Sequence, residues 1–363
     1  MYDVIVVGAR CGGSPTAMNL AGAGHKVLVV DRATFPSDTL STGVLSGDSV
    51  NRLRQWGLLE KVCAGSGTAV YPGTRIHVAG EAFDIPGEAL CPRRTTLDKI
   101  LVDAARDAGA EVREHCSVTG ITRDGEGMVT GITFQSEGQT GAESARIVIG
   151  ADGRNSFVAR AVDAEVYGEK DSLACAYYSY FTGFPVDRND LHFADGVAAL
   201  AFPTDHGQSL LAVMQPSAAF EAWRADVEAG FRKVFSAVGL GDAFAGATRT
   251  EEYRGAAQLP NYYRKPFGPG WALVGDAGYL KDPVLGQGVN DAFRDADLLS
   301  AGLDRVFRGD ASFEAAMSEY QQTRDAMTGG IYALNHAFSA LKVTPGLVQT
   351  LADAAAAMQA ARG

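Results

Sequence analysis

The sequence has few of the residues that mark disulfide-rich and metal-binding proteins. Its 363 residues include five cysteines, an odd number without tight spacing. We therefore expect reduced thiols and no disulfide framework. The six histidines are scattered, and no His/Cys pair has metal-ligand spacing. We predict no metal site.

Positive charge and long apolar runs are also scarce. The chain has 32 Lys and Arg against 43 Asp and Glu, a net charge of −11, which argues against nucleic acid or an anionic membrane as a partner. It shows no apolar run of about 18 residues and no basic segment of the signal-peptide kind. We expect a cytoplasmic protein, monomer or homodimer, whose partners are small molecules.

Glycine, by contrast, is abundant, with 43 residues, many of them between an apolar run and a helix-like segment. The runs 4–7 and 26–30 predict buried parallel strands, and residues 14–23 predict a helix between them. This strand–helix–strand unit begins a doubly wound sheet, and segments 112–121 and 147–149 predict further strands. The predicted fold class is therefore α/β with a Rossmann-like nucleotide domain.

The first strand is followed by the motif Gly8-Ala9-Arg10-Cys11-Gly12-Gly13. Glycines suit the tight turn and the close helix packing, and the helix start offers N–H groups to a diphosphate. Arg10 stands where the usual pattern has its middle glycine; it either turns outward or binds a phosphate itself. Asp31, at the end of the second strand, suits a ribose hydroxyl. Alone, the motif leaves a dinucleotide site and a structural turn both open.

Two later motifs also follow apolar runs. Asp152-Gly153 after run 147–149 suits a turn near a diphosphate, although this pair also marks ordinary turns. Gly275-Asp276 follows run 271–274, and a helix opens at Gly286-Gln287-Gly288. Asp276 suits a ribityl or ribose hydroxyl, and the helix start presents its positive end to an electron-rich ring. A protein that binds only NAD has no use for this distant second site, so the third motif favours a flavin dinucleotide.

The middle of the chain follows a different pattern. Segments 173–184, 190–202 and 208–215 predict strands joined by tight turns, and an apolar stripe from Phe220 to Val234 predicts a helix. We predict a mainly antiparallel substrate domain inserted into the FAD-binding domain, with a helical C-terminus. The predicted boundaries are 1–70, 95–165 and 265–305 for the FAD-binding domain, 71–94 and 166–264 for the substrate domain, and 306–363 for the C-terminal segment.

The three motifs, in this order, resemble the para-hydroxybenzoate hydroxylase class of FAD monooxygenases. That fold group also holds geranylgeranyl-reductase-type proteins and flavin halogenases. The resemblance implies that Arg94 contacts FAD and that the loop 39–43 is a ring-contacting or mobile-flavin segment. The alternative for this loop is an ordinary connection. The candidate cofactor-binding residues are Gly8, Arg10, Cys11, Gly12, Gly13, Asp31, Arg32, Thr42, Arg94, Val118, Asp152, Gly153, Gly275, Asp276, Gly286, Gly288, Val289 and Asn290.

The resemblance also implies a reaction. NADPH or NADH would reduce FAD, and a flavin C4a-hydroperoxide formed with O₂ would oxygenate a small aromatic or hydrophobic metabolite. An FAD-dependent C=C reductase and a non-catalytic ligand-binding protein are the alternatives. A halogenase is disfavoured because its Trp-x-Trp-x-Ile-Pro segment is missing; Trp56, Trp223 and Trp271 stand alone.

Candidate side chains for the reaction are Pro283, Lys281 and His192. Each has an ordinary alternative: Lys281 as a surface lysine, and His192 as a half-buried, hydrogen-bonded residue. Candidate substrate-pocket residues are Tyr178, Tyr180 and Phe202, on predicted strands of the middle domain.

Overall fold

The computed structural model describes residues 1–360. Residues 361–363 of the predicted helical C-terminal segment lie outside the described part of the chain. No helix within it is both long enough and apolar enough to cross a membrane.

The strands form two large sheets and one small three-stranded sheet, and helices cover the large sheets. The strands are β1 (Tyr2–Val7), β2 (Val27–Val30), β3 (Tyr71–Val78), β4 (Glu81–Ala89), β5 (Glu111–Arg113), β6 (Cys116–Arg123), β7 (Val129–Ser136), β8 (Gln139–Gly150), β9 (Val166–Lys170), β10 (Ala174–Thr182), β11 (Asn189–Ala194), β12 (Val197–Pro203), β13 (Ser209–Pro216), β14 (Thr248–Arg249), β15 (Arg254–Ala256), β16 (Asn261–Arg264), β17 (Phe267–Gly268), β18 (Trp271–Leu273) and β19 (Tyr279–Leu280). The α-helices are α1 (Gly13–Gly22), α2 (Gly47–Gln55), α3 (Leu59–Ser66), α4 (Arg94–Asp107), α5 (Phe157–Ala161), α6 (Phe220–Arg224), α7 (Val227–Ala237), α8 (Gly241–Gly246), α9 (Gly288–Arg308), α10 (Phe313–Ser339) and α11 (Pro345–Ala360).

The first sheet has the order β17-β18-β8-β1-β2-β5, and β6 and β7 extend it beside β8. Strands β1, β2, β5, β8 and β18 pair in parallel. Both faces of β1 and β2 are buried because α1, α4, α9 and α10 cover one side and β6, β7 and α5 the other. This explains their continuous valine and isoleucine runs. The chain leaves β1 toward β2 and later returns beside its other edge through β8, so a crevice opens at the carboxyl ends of β1 and β8.

The second sheet has the order β14-β10-β13-β12-β11-β3-β4, with β15 beside β10. Its pairs are antiparallel except β3 with β11. Along β12, Ala198, Leu200 and Phe202 belong to the apolar core on one face, while Ala199 and Ala201 pack against α7 and α8 on the other. The predicted α/β fold with an inserted, mainly antiparallel sheet is confirmed. These two sheets support the domain boundaries given above, which we keep as a proposal.

Two predicted elements are divided in the structure. The predicted strand through residues 112–121 is β5 followed by β6, which pair with different neighbours. The predicted helix from Phe220 to Val234 is α6 and α7. It breaks at Asp226, whose carboxylate caps α7 by accepting a hydrogen bond from the Ala229 amide at 2.9 Å. The apolar stripe predicts the buried face but not this break, because Asp226 is a strong N-cap residue.

Candidate active site

A groove of about 790 Å³ runs between the carboxyl edge of the first sheet and the inner face of the second. Asp31 and Asp276, although 245 residues apart, both line it. Two motifs that lie far apart in the sequence therefore converge on one groove, as the binding of one extended cofactor requires. The groove also contains most of the other predicted residues: Gly8, Arg10, Cys11, Gly12, Arg32, Thr42, Arg94, Val118, Asp152, Gly153, Tyr178, Gly275, Lys281, Pro283, Gly286, Gly288 and Val289.

The turn after β1 leaves no room for side chains. Gly8 has φ +106°, and a Cβ there would lie 2.4 Å from the carbonyl oxygen of Ala151. A Cβ on Gly13 would lie 1.8 Å from the carbonyl oxygen of Gly8. Gly13 therefore sits behind the turn rather than in the groove. These glycines let α1 start against the strand and direct its first amides into the crevice.

Helices α1 and α9 both begin at the groove without a side-chain cap. Elsewhere, α5, α7 and α10 are capped by Ser156, Asp226 and Ser312, whereas α2, α3, α4, α6 and α8 also lack a side-chain cap. Uncapped first-turn amides need an acceptor from solvent or a ligand. Two such helix starts in one groove fit an extended anionic cofactor that is held at two places.

Asp31 closes one end of this groove. Its carboxylate accepts hydrogen bonds from the amides of Ala9, at 2.7 Å, and Ala33, at 2.8 Å. The first bond fixes the carboxylate against the turn after β1. A carboxylate has about four acceptor positions, so Asp31 can still accept from a ribose hydroxyl.

Arg94 is positioned by a contact between the two sheets. Asp205, in the turn between β12 and β13, accepts from the Arg93 amide at 2.8 Å and the Thr96 hydroxyl at 2.7 Å. This contact anchors the start of α4 to the second sheet. Within α4, Asp98 pairs with Arg94 at 2.9 Å. The buried guanidinium therefore reaches the groove with a fixed orientation.

The Asp152-Gly153 motif lines the groove, but the Asp152 carboxylate forms its hydrogen bonds within the protein. The Asp152 carboxylate accepts from the amides of Phe157, at 2.6 Å, and Val158, at 3.1 Å. It therefore caps the start of α5. Gly153 has φ +77°, and a Cβ there would meet no atom within 4 Å. The carboxylate has a structural role, which was the ordinary interpretation of this motif.

The third motif forms the opposite wall. Gly275, at φ +61°, turns the chain out of β18 into a single helical turn that carries Asp276. Burial raises the pKa of Asp276, while Lys281 and Arg94 favour its charged form. Gly286, at φ +64°, ends a second helical turn, Pro283–Leu285, just before α9. The motif thus provides a carboxylate, a proline and an uncapped helix start along one wall.

Asn290 lies between the lining residues Val289 and Ala292 but does not line the groove itself. Its side-chain oxygen accepts from the Ser46 amide at 2.8 Å, and its side-chain nitrogen donates to the carbonyl of Gly286 at 3.1 Å. The side chain therefore holds the start of α9 and residue 46 together. Any contact of Asn290 with a cofactor must go through its backbone.

Lys281 is a buried lysine, so the interpretation as a surface residue is wrong. It is 9% exposed, lines the groove and pairs with Asp291 on α9. Burial and the guanidinium of Arg294 lower the pKa of the Lys281 ammonium. Arg294 pairs in turn with Asp291, at 2.6 Å, and Asp295, at 2.6 Å. A cluster of charges therefore lies beneath the wall that the third motif forms.

The next residue, Asp282, is fully buried and only half satisfied. One oxygen accepts from the Val284 amide at 3.0 Å, and the other has no partner. Burial raises the pKa of this carboxyl to about 7. Since the pKa in the folded state lies above the unfolded value, Asp282 should reduce stability progressively as pH rises from about 4 to 7, by on the order of 4 kcal/mol.

We therefore expect Asp282→Asn to stabilise the apoprotein at pH 8.5 and to have little effect at pH 5. The amide keeps the shape and removes the buried charge. Melting temperatures at both pH values test this. Asp107→Asn, an exposed site on α4, is the control and should give the same small shift at both pH values. An Asp282→Asn effect that is equal at the two pH values would contradict the expectation.

The second sheet forms an apolar floor opposite these motifs. Register places Tyr178, Ala212 and Leu200 side by side on β10, β13 and β12, and it pairs Ala176 with Met214 and Ala256. All six line the groove. The Tyr178 hydroxyl is the one polar side-chain group among them, and it accepts from the Ser41 amide at 3.3 Å. The floor therefore suits an apolar ligand.

Besides Gly13 and Asn290, three more predicted site residues do not line the groove. The Arg93 guanidinium lies over the aromatic ring of Tyr180, 4.0 Å from the centre of that ring. Phe202 is buried in the core on the inner face of the sheet. His192 pairs in register with Ala199, which packs against α7 on the outer face. Directly paired side chains share a face, so His192 points away from the groove. Its assignment as a catalytic candidate is withdrawn.

His192 instead belongs to a polar cluster on the outer face. Asp190 accepts from His192 at 3.0 Å and from His77 at 2.8 Å. Among the described residues, these three are the group whose ligand atoms come close enough for a metal. The imidazole rings are stacked at 3.9 Å with an interplanar angle of 5°, so their in-plane lone pairs run parallel instead of converging on one ion. We interpret the cluster as a hydrogen-bonded tie between β3 and β11, and the absence of a metal stays a prediction.

The sequence did not identify the residues that form the apolar floor of the groove or the two arginines at its mouth, Arg154 and Arg160. The alternation of apolar residues in β10, β12 and β13 was visible, but the sequence does not show which alternate set faces the groove. The missed lining residues include Ala176, Leu200, Ala212, Met214, Ala256, Leu259, Pro260, Arg154 and Arg160.

The fold and the groove define a dinucleotide-binding oxidoreductase scaffold with a covered apolar chamber. The model of the FAD-binding domain family matches residues 1–332. The chain belongs to this family. It is an FAD-dependent oxidoreductase, as the resemblance in the sequence implied.

Three known proteins illustrate the range within this fold. The digeranylgeranylglycerophospholipid reductase of Methanosarcina acetivorans is 28% identical over 349 residues, covering 91% of this chain and 82% of the relative. PqsL of Pseudomonas aeruginosa, described as a probable FAD-dependent monooxygenase, superposes with a TM-score of 0.83 at 22% identity, covering 97% and 99% of the two chains. A flavin-dependent brominase superposes with a TM-score of 0.84 at 20% identity, covering 98% and 93%. The two structures establish the fold alone.

Proposed function

We propose that this protein is an NAD(P)H-using FAD monooxygenase that oxygenates a small aromatic or hydrophobic metabolite. The observation that carries the proposal is the apolar floor of the second sheet, which lies in the same groove as the wall of Pro283 and Gly286. Oxygen transfer needs such a chamber, because water must be excluded while the reactive oxygen waits for its acceptor.

The residues of the groove fit FAD along its whole length. The start of α1 suits the diphosphate, Asp31 the adenosine ribose, and Asp276 the ribityl hydroxyls. The start of α9 suits the pyrimidine edge of the ring. When bound, FAD supplies a hydride acceptor and the capacity to activate O₂, neither of which amino-acid side chains provide.

The chain contributes electrostatics and shielding. The positive end of α9 and the Lys281 ammonium lie beside the proposed ring site, where they favour negative charge. Lys281 can hold or release a proton at its Nζ, since burial lowers its pKa. We propose Lys281 and Pro283 as the residues nearest the reacting part of the cofactor.

Two arginines support a nicotinamide dinucleotide as the electron donor. Arg154 and Arg160 line the mouth of the groove, and no carboxylate in residues 1–360 pairs with either. Guanidinium groups without a carboxylate partner, in a chain of net charge −11, favour the binding of an anionic ligand at the mouth of the groove. NADH and NADPH both satisfy this requirement.

Oxygen-isotope labelling tests the proposed reaction. The purified protein should be yellow and should oxidise NADH or NADPH faster in the presence of an uncharged aromatic probe such as 2-naphthol. Naphthalene-2-sulfonate, of similar shape but charged, should accelerate it less. Under ¹⁸O₂ the product should gain one labelled oxygen atom, and the second atom should leave as water.

The alternative activity is reduction of a carbon–carbon double bond. It is favoured by the archaeal reductase that shares 28% of its residues with this chain. Geranylgeraniol gaining two hydrogens under anaerobic conditions, with no labelled oxygen in any product, would replace the monooxygenase proposal with this one. A colourless protein that takes up no FAD would exclude both and favour a ligand-binding role.

A further inference from the structure

Arg10 stands in the turn after β1, where the usual pattern has a glycine, and its side chain leaves that turn. It runs to the loop of residues 37–43, hereafter loop 37–43. One terminal nitrogen donates to the carbonyl of Ser37 at 3.2 Å and also pairs with Asp98; the other donates to the Ser37 hydroxyl at 3.0 Å and the carbonyl of Asp38 at 3.4 Å. The guanidinium also lies 5.1 Å from the ring centre of Phe35.

These contacts decide between the two roles left open by the sequence. The two terminal nitrogens carry four N–H donors, and all four have a protein acceptor. The guanidinium is therefore committed to the protein and has only its Nε–H left for a phosphate. Arg10 turns outward and joins the phosphate-binding turn to loop 37–43.

Loop 37–43 spans the groove. Thr39, Leu40, Ser41 and Thr42 line it. Past Arg10, the loop is fastened to the second sheet: Asp38 pairs with Arg254 at 2.8 Å. The Tyr178 hydroxyl bonds the Ser41 amide, as described above. Loop 37–43 therefore crosses the groove. Arg10 holds it to the phosphate-binding turn, and Arg254 holds it to the second sheet.

We propose that Arg10 is a positioning residue that holds loop 37–43 closed over bound FAD and thereby sets the rate at which the cofactor leaves. FAD bound beneath loop 37–43 can leave only when the loop opens. Loss of the Arg10 hydrogen bonds should make the loop open more often and should therefore raise the rate at which FAD dissociates. Three charge-assisted hydrogen bonds to the loop are lost in Arg10→Ala, and we expect FAD to dissociate at least about 10-fold faster.

Flavin fluorescence after dilution of the holoprotein measures this rate, and amide hydrogen exchange measures the opening of loop 37–43. Arg10→Ala should accelerate both FAD release and exchange in the loop. Arg10→Lys, which keeps the charge but loses the planar fork, should fall between wild type and Arg10→Ala. Added guanidinium at low millimolar concentration should slow release from Arg10→Ala.

Arg52→Ala is the matched control. Arg52 is 20% exposed against 22% for Arg10, and it pairs with one carboxylate, Asp297, at 2.7 Å. It is not among the residues that line the groove, and its loss should leave FAD release unchanged. If Arg10→Ala yields no holoprotein, Arg10→Lys and Ser37→Ala, each of which removes part of the fastening, carry the test.

Three results would overturn the proposal. One is an unchanged dissociation rate in Arg10→Ala and Arg10→Lys. Another is faster FAD release with unchanged exchange in loop 37–43, which would mean that only charge matters. The third is an equal effect of Arg52→Ala, which would mean general destabilisation. None of these readouts depends on the oxygenation reaction, so a failed monooxygenase assay would leave this test intact.

Discussion

Gly13→Ala should abolish FAD binding. The new Cβ would lie 1.8 Å from the carbonyl oxygen of Gly8 and 3.1 Å from the Cβ of Ala151. Both neighbours are held by the first sheet, so α1 has to move, and its first amides leave the position that suits a diphosphate. Overpacking against backbone costs about 3 kcal/mol or more, so FAD affinity should fall more than about 100-fold.

The control for this substitution lies in the same helix. A Cβ on Gly22, at the other end of α1, would meet no atom within 4 Å. Gly22→Ala should therefore keep full FAD content and raise the melting temperature slightly, since alanine is favoured over glycine in helices by about 1 kcal/mol. Absorbance near the flavin band, per protein, measures both variants. Gly13→Ala with wild-type FAD content would disprove the assignment of this turn.

The three motifs could be predicted from the sequence because each rests on local backbone geometry. Gly8 and Gly275 must adopt positive φ where a strand ends in a tight turn. An apolar run before such a glycine already indicates the strand end. That the motifs converge follows from the parallel sheet, whose strands present their carboxyl ends at one edge.

The chamber side of the site could not be predicted in the same way. Tyr178 and His192 both lie on strands of the second sheet, yet only Tyr178 faces the groove. Both faces of this sheet are covered by apolar layers, so the alternation of apolar residues does not show which set of side chains faces the groove. The burial of Lys281 is equally hidden, because it depends on Asp291 and α9, which follow only after the turn at Gly286.

Arg324 is another residue whose role no motif indicates. It lies on α10, and its side chain is fully buried. It donates to the carbonyls of Gly278, at 3.2 Å, and Arg264, at 3.1 Å, and to the Tyr167 hydroxyl at 2.7 Å. Gly278 directly follows the helical turn that carries Asp276. Arg324 therefore braces the Asp276 turn from behind.

Arg324→Met should be strongly destabilising and should weaken FAD binding. Methionine fills part of the space but makes none of the hydrogen bonds by which the guanidinium joins Gly278, Arg264 and Tyr167. A hydrogen bond from a charged group contributes about 1.5–3 kcal/mol. Since three such bonds are lost, the melting temperature should fall by roughly 5 °C or more. Thermal unfolding of the holoprotein and FAD titration of the apoprotein measure the two effects.

Arg305→Met separates this effect from the loss of an ordinary ion pair. Arg305 on α9 pairs with Glu319 on α10 at 2.8 Å, but its side chain is 45% exposed. An exposed pair contributes less than about 1 kcal/mol, so this variant should melt within about 1 °C of wild type. If Arg324→Met melts no lower than Arg305→Met, the turn that carries Asp276 is held by its glycines and by β18 alone. If it melts lower and also binds FAD more weakly, α10 is part of the cofactor site even though none of its residues lines the groove.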